Sequence, residues 1–176
     1  MRFLARNFCL FIIVTLLSSC GFHLRGQMTL APPLHRVYLQ APEIYEPLAR
    51  YLRQSLKMSG VYLASSPKDA ITILEIIKET ESEPLLSVSN TQQTRQYDLV
   101  LTVTFQITSP EGRILIPPQT VSEKRTLTVQ TNQVLATTNE AASLFRQMRI
   151  AIAYDIMSLL ASQNLSDALT TSLSKK

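Results

Sequence analysis

Tyr97-Asp98-Leu99-Val100-Leu101-Thr102-Val103-Thr104-Phe105-Gln106-Ile107-Thr108 alternates without a break. Tyr97, Leu99, Leu101, Val103, Phe105 and Ile107 fall on one side. Asp98, Val100, Thr102, Thr104, Gln106 and Thr108 fall on the other. A period of two held over that length predicts a strand with one buried face. Ser109-Pro110-Glu111-Gly112 follows as a turn, with Pro second and Gly fourth. Pro117-Pro118 interrupts the returning segment and marks an edge or a break. Thr120 to Gln130 resumes as a strand, with Val121, Leu127 and Val129 on one face. Its other face is Thr120, Ser122, Lys124, Thr126, Thr128 and Gln130. These outer faces are rich in Thr and nearly free of charge. Either Thr is there because it favours strands, or this face lies against another polar protein surface.

Towards the N-terminus, Ile71 to Ile77 is rich in β-branched residues and reads as another strand. Its imperfect alternation predicts a bulge, or burial of both faces near Leu74. Residues 78–90 are polar, and Glu79, Glu81 and Glu83 read as a solvated acidic loop. Val37-Tyr38-Leu39 predicts a short first strand, and Val61-Tyr62-Leu63 leads back towards the sheet. Between them, Pro47 suits a helical first turn. Leu48, Leu52 and Leu56 recur every four residues, and Gly60 stops the helix. A long helix is expected from Thr138 or Asn139. Its stripe is Ala141, Leu144, Phe145, Met148, Ile152, Ile156, Leu159 and Leu160.

Two amphipathic helices and one half-apolar sheet can bury their faces only against each other. The expectation is an α+β fold: a two-layer sandwich of two α-helices on one face of a mainly antiparallel, about four-stranded sheet. One domain is expected over residues 34–165, followed by a polar, disordered tail over 166–176.

The chain has 176 residues, 45% hydrophobic and only 17% charged, with 4 Gly, no Trp, two Cys and two His. Two Cys are too few for a disulfide scaffold or a structural zinc site. His23 and His35 lie in or near the N-terminal tether, and the sequence holds no H-E-x-x-H, G-x-S-x-G or Gly-rich phosphate loop. No catalytic residues, no metal ligands and no cofactor are expected. Arg95, Arg113, Lys124 and Arg125 fall on strand ends and loops, either as solvated charges or as a group able to meet phosphates.

The first nineteen residues read as an export signal. Arg2 and Arg6 precede an apolar run from Phe8 to Leu17, too short to span a bilayer, which takes about 20 residues. Leu17-Ser18-Ser19-Cys20 resembles a bacterial lipobox. That resemblance implies cleavage before Cys20, a diacylglycerol on its thiol and an acyl chain on its new amine. The alternative is an ordinary signal cut near Ser19. Several acyl chains hold a membrane where one does not. Residues 20–33 then form a lipidated tether. The leader holds two of the 17 Lys and Arg and none of the 13 Asp and Glu, so the mature charge is +2. That is too weak to argue for nucleic acid. Residue 21 is Gly rather than the Asp of an inner-membrane retention signal, which favours the outer membrane, facing the periplasm.

Cys20-Gly21-Phe22-His23-Leu24-Arg25-Gly26 resembles the mature start of the LptE family of LPS-assembly lipoproteins. Tyr97 to Val103 is similar to that family's central strand. Leu135-Ala136-Thr137-Thr138-Asn139-Glu140, with Met148-Arg149, is similar to the start of its last helix. The resemblance implies a non-enzymatic outer-membrane lipoprotein that plugs the LptD β-barrel, assists its assembly and contacts lipopolysaccharide (LPS) on its way to the outer leaflet. The family is expected to meet LPS through basic side chains on loops. The corresponding loops here hold the neutral Asn90 and Thr137, leaving Arg95, Lys124 and Arg125 as the LPS-contact candidates. The alternative function is an auxiliary lipoprotein subunit of a periplasmic phospholipid transport system. A periplasmic hydrolase has no supporting constellation.

Overall fold

A computed structural model describes residues 28–89, 94–130 and 134–174, with the side chains of 134–137 outside the description. The signal, Cys20, the first part of the tether and Asn90 lie outside the described residues. The elements in order are β1 (Arg36–Gln40), α1 (Glu46–Met58), β2 (Tyr62–Leu63), β3 (Thr72–Ser82), β4 (Leu85–Val88), β5 (Thr94–Thr108), β6 (Ile114–Gln130), α2 (Val134–Leu160) and α3 (Gln163–Ser174).

The alternating stretch is the centre of the sheet, because β5 is paired on both sides. β6 runs antiparallel to it over its whole length, from Thr94↔Gln130 to Thr108↔Ile114. On its other side β3 pairs with Val100 to Thr108, and β4 with Arg95 to Tyr97. Leu99, Leu101, Val103, Phe105 and Ile107 are wholly buried and share one core with Leu48, Leu52, Met148, Ile152 and Ile156 of the helices. All the helices therefore lie on that face, and the fold is α+β.

The sheet differs from the expected four antiparallel strands. Among the described residues it has six strands and is mixed, because β1 runs parallel to both β2 and β3. A parallel return needs a long crossover, and α1 supplies it between β1 and β2. Two paired residues in β2 are too few to show a period. β4 lay in a stretch read as polar loop: all four of its residues are exposed, so it has no buried face to reveal it.

Among the described residues there are three α-helices rather than two. In place of a fraying tail from Ser166, α3 continues to Ser174 and buries Leu165 and Leu169. Leu165, Leu169 and Leu173 are spaced by four, and that stripe outweighs the surrounding Ser and Thr. The packed domain also begins before residue 34, since Leu30 and Ala31 are buried and the Pro33 carbonyl accepts a 3.1 Å bond from Thr72 Oγ1. α2 starts at Val134, some four residues before the expected cap.

α1 ends as its sequence predicts. Gly60 has φ +78° and donates to the Lys57 carbonyl at 3.0 Å, while Val61 donates to that of Leu56, also at 3.0 Å. Leu56 and Val61 are both in the core, so the turn closes on an apolar contact. Gly60→Ala meets no atom within 4 Å but keeps a left-handed backbone. It is expected to cost about 1 kcal/mol in urea unfolding. An unchanged midpoint would refute this account of the turn.

The expected irregularity in β3 is a bulge between Ile76 and Lys78. Ile76 opposes Phe105 on the helix side, Lys78 opposes Thr104 on the outer side, and Glu79 opposes Val103 on the helix side again. One extra residue thus reverses which set faces the helices. Glu79 and Glu81, rather than Lys78 and Thr80, are turned towards α2.

Candidate functional site

The outer face of β5 and β6 is a ladder of neutral polar side chains. Thr102 and Ser122 hydroxyls lie 3.2 Å apart, as do those of Thr104 and Thr120. Gln106 donates to Glu75 on β3 at 2.7 Å. Between Asp98 and Gln106 on β5, and Thr120 and Thr128 on β6, this face carries two charges, Asp98 and Lys124. They neutralise each other: Lys124 Nζ is 2.6 Å from Asp98 Oδ2, and Thr126 Oγ1 donates to Asp98 Oδ1 at 3.3 Å.

The three LPS-contact candidates are not one patch. Lys124 is on the outer face, committed to the Asp98 carboxylate, whose side chain is 10% exposed. Arg125 and Arg95 are on the opposite, helix-side face, beside Leu99 and Val129 in the neighbouring strand. Arg125 lies 3.6 Å from Glu123. Arg95 is exposed, with no ion pair among the described residues. Lys124→Met leaves Asp98 with Thr126 alone and is expected to cost about 1 kcal/mol of stability. Urea unfolding reads this, and a cost near zero would mean the pair holds nothing.

Two of the three acidic residues read as a loop, Glu79 and Glu81, belong to a charged cluster under α2. Arg149 Nε donates to Glu79 Oε1 at 2.7 Å, and its Nη2 donates to Glu81. The Glu79 side chain is 6% exposed, and its Oε2 has no hydrogen-bond partner among the described residues. Burial pushes the Glu79 carboxyl above its ordinary range, while the Arg149 guanidinium pulls it down. Burial also raises Asp155, helped by the charge of Glu123. The spacing of Glu79 and Glu81 by two was the sequence signal for the strand they lie on, which ends at Ser82 before Glu83. Arg149 had no such signal, because its partners lie about 70 residues away.

Beyond the cluster, the N-terminal part of α2 stands off the ends of β5 and β6 and leaves a groove of about 390 Å³. Tyr97, Leu127, Val129, Ala141 and Phe145 form its apolar walls, and Glu81 and Glu83 its rim. Among the described residues, no three His, Cys, Asp or Glu side chains are placed to hold a metal ion. No helix among them is long and apolar enough to cross a membrane.

A small α+β domain with helices on one face and an open polar sheet on the other is the architecture of a group of bacterial lipoproteins. The "Minor Lipoprotein" of Acinetobacter baumannii, a crystal structure, aligns with TM-score 0.62 and 25% identity over 73% of this chain and 91% of its own. Residues 34–160 match the family described as "LptE: Lipopolysaccharide-assembly". The chain is 31% identical to the LPS-assembly lipoprotein LptE of Yersinia enterocolitica over 83% of its own length and 70% of that protein. It is 27% identical to the one of Pectobacterium atrosepticum, over 87% and 83%. The chain belongs to the LptE family of LPS-assembly lipoproteins, a non-enzymatic family.

Proposed function

We propose that this chain is a periplasm-facing outer-membrane lipoprotein, acylated on Cys20, that sits in the lumen of an LptD-type β-barrel, helps that barrel assemble and contacts LPS during its delivery to the outer leaflet. The observation that carries the reading is the outer face of β5 and β6. It is a large sheet face on which hydroxyls pair with hydroxyls and the two charges cancel. A surface of that kind suits the wall of a membrane barrel's lumen, which is polar. A freely solvated sheet face has no need to avoid unpaired charge. Family membership supports the LPS role. Of the three candidate cations, Arg95 is the one left for a phosphate, since Lys124 and Arg125 face carboxylates.

The test is co-purification. Tagged chain from detergent-solubilised outer membranes should carry an LptD-type barrel protein in equal amount, and Cys20→Ala should abolish labelling by palmitate. Recovery of the chain alone, with LPS export intact after its depletion, would overturn the proposal.

A further inference from the structure

We propose that the groove beneath the start of α2 receives a lysine or arginine side chain, carried beside an apolar residue by a segment of a partner polypeptide. Its walls offer Leu127, Val129, Ala141 and Phe145 to an apolar side chain. The charged groups that line it are both carboxylates, Glu81 and Glu83. Glu81 shares its one guanidinium, Arg149, with Glu79, so those three groups carry a net negative charge. Glu83 is exposed and has no ion pair among the described residues. Other cations flank the groove without lining it: Arg95, one alternate position beyond Tyr97, Arg125, one before Leu127 and beside Glu123, and Arg146, next to Phe145 on α2. A phosphate-bearing group meets carboxylates here, whereas an ammonium or guanidinium in the groove meets the Glu83 carboxylate beside apolar walls, where charge-assisted bonds are strong.

The experiment is an NMR titration of the full mature chain carrying Cys20→Ala, read at Tyr97, Ala141 and Phe145. The probes are acetyl-Leu-Arg-Leu-amide and the same peptide with Glu for Arg. The basic peptide should shift those signals and the acidic one bind at least about tenfold more weakly. Glu83→Lys, at an exposed position, should weaken the basic peptide about tenfold. Equal binding of the two peptides, or no effect of Glu83→Lys, overturns the proposal. So does binding that emerges only when Lys175 and Lys176 are deleted, since the chain's own C-terminus would then be the occupant. The isolated chain suffices, so the outcome is independent of whether a barrel is the partner.

Discussion

Arg149→Met should lower stability by about 3 kcal/mol at pH 8 and by much less at pH 4.5. The substitution keeps the unbranched stem but removes the cation that faces Glu79 and Glu81. A carboxylate that is 6% exposed and already has one oxygen without a partner among the described residues is then left buried without a counter-charge. Breaking a buried pair from one side costs about 3–5 kcal/mol, and the partial exposure of Arg149 and Glu81 places this case at the low end. The pH dependence follows from the direction of the Glu79 shift. Its folded-state pKa lies above the ordinary 4.5, so the folded chain holds that proton more tightly than the unfolded chain. Stability from this group is present below the unfolded value and is lost as pH rises through the folded one. Removing Arg149 takes away the pull that opposes burial, which moves the folded pKa further up and widens that window. Urea unfolding at the two pH values reads the difference. Glu79→Gln added to Arg149→Met should restore most of the loss at pH 8. A loss that is the same at both pH values, or no restoration, would show that Arg149 acts through packing alone.

That cluster marks the boundary of what the sequence reveals. β5 was legible residue by residue, because one face is wholly buried and the other polar, and a period of two follows from that alone. α1 was legible for the same reason at a spacing of four, with Pro47 and Gly60 fixing its limits. β4 was not, since Leu85, Leu86 and Val88 are all exposed and no periodicity exists to be read. The polar tail concealed α3 because Ser and Thr outnumber the three leucines that fold it. Glu79 and Glu81 looked solvated because their side of the sheet depends on one inserted residue at the Ile77 bulge. Lys124 looked available to a ligand because Asp98, its partner, is reached only through the register Val100↔Lys124. The last two misses are matters of register and of partner, quantities that arise between segments rather than within one.

Thr104→Glu should leave the isolated chain's stability within about 0.5 kcal/mol and still reduce recovery of the barrel partner at least about a hundredfold. Thr104 sits in the middle of the outer face, opposite Thr120 on one side and Lys78 on the other. In the free chain a carboxylate there is solvated and has an ammonium in the opposing strand, so the monomer has little to lose. Against a close-fitting polar wall, the same carboxylate and the Lys78 ammonium opposite it are stripped of water together, with nothing in the wall built to meet them. Taking an ion pair out of water costs several kcal/mol per ion, only partly repaid by their attraction, and every 1.4 kcal/mol is tenfold in affinity. Thr104→Ser keeps the hydroxyl and should keep the partner. The measurement pairs thermal unfolding of each variant with co-purification from outer membranes. If the glutamate variant recovers the barrel as fully as the parent chain does, the Thr-rich face is open to water in the complex. Its composition then reflects only the preference of threonine for strands, and the docking surface must be sought on the helical side.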